Sequence, residues 1–207
     1  MKEKYNNVDE YIADLQAQIR ETPDCANHLY ALGMALLSKR DFVAAEAAFL
    51  ECISASSHVA EAYVQLGGIC MQRGDLEGCL SYNNEAVNCR PRFAIGWGNI
   101  GFVHIQRGEA EKAISALRKA VKWDPNFMQA MASLAVACYM IGELDESIAL
   151  SEKVIKKEPN FAPAYNNLAV AWLEKGDGKK ALEYANLAIK HGFEVNPDLL
   201  KELEAFK

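Results

Sequence analysis

The sequence predicts an all-α fold, a stack of antiparallel helix pairs, and three observations predict it. Small and large residues recur with a period of 34. Each period holds two stretches whose apolar residues fall at helical spacing. Turn-forming residues separate those stretches at fixed places.

The period shows in five columns that run in phase. Gly33, Gly67 and Gly101 are 34 residues apart, and the next two steps land on the small Ala135 and Ala169. Pro23, Pro91, Pro125 and Pro159 share a second register, with Ser57 in the missing place. Leu29, Tyr63, Trp97, Met131 and Tyr165 form a third, and Leu32, Leu66, Ile100, Leu134 and Leu168 a fourth. Ala45, Cys79, Ala113, Ser147 and Ala181 form the fifth. A period of this length marks one supersecondary unit stacked on copies of itself.

Taken in chain order, residues 1–7 read as a flexible N-terminus and 8–25 as the second half of a unit. Tyr11 stands in the alanine column there, which is tolerable if no earlier helix presses on it. Five full units follow, at 26–59, 60–93, 94–127, 128–161 and 162–195. In each first helix the large residue, the Leu or Ile and the small residue lie three and then one apart. Leu29, Leu32, Gly33 and Leu36 therefore share one face. A mid-helix glycine costs about 1 kcal/mol relative to alanine. Its recurrence implies that a second helix passes close by, with the Ala45 to Ala181 column as the expected partner.

Gly74, Gly108, Gly142 and Gly176 supply a left-handed stop for the first helix. Each is followed by an acid, Asp75, Glu109, Glu143 or Asp177, which suits the start of the second helix. Asp124-Pro125-Asn126 and Glu158-Pro159-Asn160 end the second helix. Unit one departs from the pattern: Arg40 replaces the turn glycine, Ser57 the proline, and Cys52 stands where later units have Ala86, Ala120, Val154 and Ala188. A slightly looser region with the same fold is expected there. Residues 196–207 read as a C-terminal capping helix, with Leu199, Leu200, Leu203 and Phe206 on its apolar side. Solenoids need such atypical ends.

The stretches AIGWGNIGFVHIQRGEAEKAISALRKAVKWDPN and APAYNNLAVAWLEKGDGKKALEYANLAIKHG carry this pattern almost intact. They resemble the tetratricopeptide repeat (TPR) family. The resemblance implies a right-handed α-solenoid, the TPR superhelix. It also implies a concave groove lined by the first helices and used for binding protein.

Composition narrows the function. The 207 residues are 51% hydrophobic and carry a net charge of −6. Residues 1–89 hold 6 Lys+Arg against 13 Asp+Glu, a net of −7; residues 90–207 hold 16 against 15, a net of +1. This balance argues against nucleic acid. No apolar run reaches the ~18 residues of a membrane span, and residues 1–10 lack a signal-peptide pattern. Six cysteines without a CxxC pair read as reduced, buried thiols in a cytoplasmic protein.

Catalytic and cofactor motifs are not expected. Gly176 to Lys180 lacks phosphate-loop spacing and reads as a turn between helices. His28, His58, His104 and His191 are far apart in sequence, so no metal site is expected; His104 shares a packing column with Leu36, Cys70, Cys138 and Trp172. The chain is read as having no enzymatic activity and no cofactor.

The candidate groove comprises the first-helix residues that the packing columns do not use. Unit one offers Tyr30, Met34 and Leu37, and unit two Gln65 and Met71. Unit three offers Asn99, Phe102 and Ile105. Units four and five offer Tyr139, Met140, Asn167 and Leu173. This face has no Lys or Arg. Chaperone-binding members of the family hold a C-terminal carboxylate with such residues, so that role is disfavoured. Its Met and aromatic residues are expected to form a continuous apolar stripe for an apolar peptide or helix. Gln65, Asn99 and Asn167 share a register from which amides could bond a peptide backbone, or sit beside the next helix.

Two other functions stand beside this scaffold or adaptor reading. One is self-assembly into a homo-oligomer, by end-to-end stacking or by exchange of a terminal helix, 8–19 or 199–206. The other is RNA binding, which needs a basic, aromatic groove. Arg118, Lys119, Lys122, Lys153, Lys156 and Lys157, with Trp123 among them, read as a solvated outer face.

Overall fold

Twelve α-helices follow one another without a strand among the described residues, Tyr5 and 7–206, in a computed structural model of the chain. The expected flexible segment 1–7 lies mostly outside them. The helices are α1 (Val8–Glu21), α2 (Ala26–Ser38), α3 (Phe42–Ala55), α4 (Ala60–Gln72), α5 (Leu76–Cys89) and α6 (Ala94–Gln106). They continue with α7 (Ala110–Trp123), α8 (Met128–Met140), α9 (Leu144–Lys157), α10 (Ala162–Glu174), α11 (Gly178–Lys190) and α12 (Pro197–Leu203), closed by a 3-10 turn at Glu204–Phe206. The chain divides into two compact units, residues 1–96 and 97–207. In the first, α1 packs on α2, α2 on α3, α3 on α4 and α4 on α5. In the second, each helix from α7 to α12 packs on its successor.

One hydrogen-bond motif ends each first helix. The Gly74 amide donates to the Met71 carbonyl at 3.0 Å, and the Asp75 amide to the Cys70 carbonyl at 2.9 Å. The same pair of bonds recurs at Gly108, Gly142 and Gly176, whose φ angles are all positive. This is the Schellman closure, and it needs a left-handed residue. Arg40 meets the same demand without being glycine: its φ is 61°, and Arg40 and Asp41 donate to Leu37 and Leu36 at 2.9 and 3.0 Å. Unit one thus keeps the turn of the others and holds the strain in one residue.

The acids that follow divide by length. Asp41, Asp75 and Asp177 each accept from the amide three residues on, at 3.1, 2.8 and 3.1 Å, and so cap α3, α5 and α11. Glu109 and Glu143 make no such bond. Glu109 turns instead to His104 Nδ1 at 2.5 Å and Lys112 Nζ at 3.2 Å, and these two partners hold its carboxyl below the usual range. His104 therefore lies in the packing column with its ring nitrogen tied to the turn.

The core differs from expectation at the recurrent glycines. A Cβ on Gly33 would sit 2.5–2.7 Å from the ring of Phe49, not against Ala45. At Gly67 it would strike the Asn83 amide, with the Cys79 carbonyl next at 3.4 Å, and at Gly101 the Leu117 side chain. Each partner lies four residues after the alanine column. In units four and five the same place is Ser151 and Ala185, and there the glycine has become Ala135 and Ala169, all four buried. Volume is exchanged between the two helices of a pair while the close approach is kept.

At the C-terminal end, Leu203 is fully buried against Ala169, Ala181 and Ala185, with Leu199 and Leu200 beside it. The Phe206 ring occupies the space a side chain on Gly178 would need. At the other end the Tyr11 ring packs against Tyr5, with centroids 4.9 Å apart, and α1 lies against α2.

Two variants test these contacts. Gly33→Ala is expected to destabilise by about 1–3 kcal/mol through overpacking. In a Phe49→Ala background the same change is expected to stabilise by up to about 1 kcal/mol, because only helix propensity remains. Urea unfolding of the four proteins of the cycle measures the reversal. Arg40→Gly is expected to stabilise by about 0.5–1 kcal/mol, as the left-handed penalty is relieved and partly offset by glycine entropy; thermal unfolding followed by circular dichroism checks it.

Candidate functional site

Once each helix pair has closed on itself, the first helices keep one face that the pair does not cover. In the second unit that face comes from α6, α8 and α10, and it holds three cavities. One, of about 210 Å³, lies between Asn99 and Phe102 of α6 and Phe127, Gln129 and Ser133 at the start of α8. Another, of about 190 Å³, is lined by Val136 and Tyr139 of α8, Ser147 of α9, and Asn166, Asn167 and Val170 of α10. The largest, of about 830 Å³, has Tyr139 and α10 on one wall. Its other wall is the segment 193–202, the end of the link after α11 together with most of α12.

The structure brings some of the expected residues together. Asn99 and Phe102 share the first cavity, Tyr139 and Asn167 the second, and Tyr139 and Leu173 the third. Phe102 and Met140 stand 39% and 40% exposed. Ile105, Tyr139 and Leu173 are half-buried: Ile105 leans on the core that α7 and α8 build, Tyr139 on that of α9 and α10, and Leu173 on that of α10 to α12. The amide of Asn167 donates to the Ala132 carbonyl at 3.1 Å, so it ties α10 to α8 while it lines the cavity.

In the first unit Met34 is 40% exposed. Tyr30 and Leu37 pack partly on the core around Phe49, and Gln65 and Met71 are half-buried. Burial first, then the charge of Glu61, raises the Tyr30 phenol. Glu61 is itself held by Arg90 at 2.6 Å.

Sequence reasoning missed the second wall of the large cleft. Most of residues 193–202 lie beyond the last unit, 162–195, so no column points to them. It also missed a small buried column, Ala62, Gly96, Ala130 and Ala164, although its period is the same 34. At Gly96 an added Cβ would lie 2.8 Å from Val87 of the preceding helix. This column sets the approach of one pair to the next, as the glycine column sets it within a pair.

The basic residues of the outer face are largely committed. Arg118 pairs with Glu146 at 3.0 Å, and Lys119 lies 3.9 Å over the Trp97 ring. Lys122 lies 5.0 Å over Trp123, and Lys157 donates to the Pro125 carbonyl at 3.0 Å.

Models of the tetratricopeptide repeat match residues 10–58, 30–92 and 94–127. The chain belongs to the tetratricopeptide repeat family. Solved structures agree on the fold. YrrB, described as a TPR protein with an unusual peptide-binding site, is 21% identical with a TM-score of 0.72, over 86% of this chain and 92% of that one. MamA is 23% identical with a TM-score of 0.69, over 83% and 98%. PilF of Pseudomonas aeruginosa is 16% identical with a TM-score of 0.74, over 84% and 79%. No curated protein matches in sequence. As a TPR solenoid the chain is a protein-interaction scaffold in general terms, and proteins of this fold are typically not enzymes.

Among the described residues no three His, Cys, Asp or Glu side chains are grouped to hold a metal ion. Nor is any helix long and apolar enough to cross a membrane. Gly176 to Lys180 forms the turn into α11, with Asp177 as its cap. All six cysteines are free; four are buried, and Cys25 and Cys89 are half-exposed. Burial, with Glu146 adding to it, pushes the Cys138 thiol up to about 11. Cys138 therefore stays a protonated packing group at neutral pH. Iodoacetamide at pH 8 is expected to modify Cys25 in the folded protein and to reach Cys138 only after unfolding. Peptide mapping by mass spectrometry reads the order.

Proposed function

We propose that this TPR protein is an adaptor whose first-helix face binds an apolar or helical segment of another protein. The observation that carries the reading is the pair of smaller cavities along α6, α8 and α10, with Phe102 and Tyr139 in their walls. Among the described residues no Lys or Arg lines either of them. That supports an apolar or helical segment over a C-terminal carboxylate, which needs a cationic clamp. It equally disfavours RNA, whose phosphates need cations along the groove. Exposed aromatic and methionine side chains of this kind mark interaction sites, and flexible methionine adapts to varied partners.

The reading assigns no catalysis to the chain. The six free thiols support a reducing compartment, so the reading includes a cytoplasmic location.

Phe102→Glu and Met140→Glu change exposed side chains and are expected to leave the fold intact. Each is expected to weaken capture of native partners by about tenfold or more, as hot-spot losses do. Affinity purification with quantitative mass spectrometry, on proteins shown by circular dichroism to melt like the wild type, checks this. Survival of every partner on both variants defeats the reading.

A further inference from the structure

The large cleft of the second unit has a chemistry of its own. Four carboxylates line it: Glu174 at the end of α10, Glu194 after α11, and Asp198 and Glu202 of α12. No Lys, Arg or His lines it, and none of the four is in an ion pair among the described residues. Their field reaches the wall. The phenol of Tyr139 is raised first by burial and then by the charges of Glu174 and Glu202. Like charges gathered in a cleft repel one another and draw cations to it.

A second observation is independent of the carboxylates. The cavity of about 190 Å³ shares Tyr139, Asn166 and Val170 with the cleft, and so opens beside it. Ser147 of α9 also lines it. This side chain is 1% exposed, and its hydroxyl has no hydrogen-bond partner among the described residues. Three of the other units place Ala45, Ala113 and Ala181 at this position, where nothing polar needs satisfying, and unit two places Cys79 there. A buried hydroxyl left unbonded in the wall of a cavity lacks what a ligand atom would supply.

We infer that the cleft and its side cavity bind a basic peptide segment of a partner protein. Lysine or arginine lies among Glu174, Glu194, Asp198 and Glu202, and a neighbouring side chain with a polar tip enters between Tyr139 and Val170 to reach Ser147. The cavity has room for one large side chain, and tyrosine or glutamine meets both demands. This rests on the adaptor reading above and gives the partner a charge that the uncharged stripe on α6 and α8 does not.

The test uses the full chain and an immobilised library of end-blocked nonapeptides in three classes, basic, neutral and acidic. The basic class is expected to be retained about tenfold better than the others at low salt, with the preference shrinking as salt rises. The double variant Glu174→Gln/Glu202→Gln is expected to lose that preference, while Lys201→Gln, outside the cleft lining, keeps it. Ser147→Ala is expected to keep the charge preference and to lose any selection of tyrosine over phenylalanine at one position. Retention led by neutral or acidic peptides, or a basic preference that survives the double variant, overturns the inference and leaves the adaptor reading standing. Retention of no class overturns both. Wild-type self-association in sedimentation that the double variant abolishes assigns the cleft to a second copy of this chain and likewise overturns the inference.

Discussion

The close approach of the two helices in each pair is the constraint on which the rest depends. It is met by exchanging volume across the pair. Gly33 accepts the ring of Phe49, Gly67 the amide of Asn83, and Gly101 the side chain of Leu117. Ala135 and Ala169 stand in the same column where the partner positions are Ser151 and Ala185. The tight turn enforces the geometry: the two amides that close each first helix leave no slack before the second begins. Arg40 shows how strict the demand is, since it adopts the left-handed conformation that its neighbours leave to glycine.

From that approach follows the shape of the free surface. A first helix spends one face on its own second helix and another on the neighbouring pair, where Ala62, Gly96, Ala130 and Ala164 allow contact. What is left is a third face, and it is where Phe102 and Met140 stand exposed. Asn99 and Asn167 both border cavities, and the Asn167 amide also joins α10 to α8. The outer face shows the same local economy, with lysines laid over Trp97 and Trp123 and arginine paired to glutamate, so that positive charge is absorbed within the unit.

The last turn of the solenoid adds what no repeat carries. Leu203 buries itself between α10 and α11, and this anchors the segment 193–202 as a wall. The wall brings Glu194, Asp198 and Glu202 opposite Tyr139 and Glu174. A capping helix that would be enough to shield apolar surface thereby also gives the adjoining cleft its sign.

The sequence by itself determined the fold of this protein. The period of 34, the glycine turns and the aspartate caps Asp41, Asp75 and Asp177 are local demands written in the residues that meet them, whereas Glu109 and Glu143 stand in the same place and do not cap. It also showed that the first-helix register positions expected to form the groove hold no Lys or Arg, because composition at a register position needs no third dimension. The tertiary structure alone decided which side chain fills the space beside each glycine. Two columns four residues apart on a helix have the same period, and only the packing tells which of them meets the partner. It alone brought residues outside the repeat against α8 and α10, and it alone left the Ser147 hydroxyl unbonded beside an acidic cleft. Those facts depend on distances between segments remote in the chain, and no periodicity encodes them.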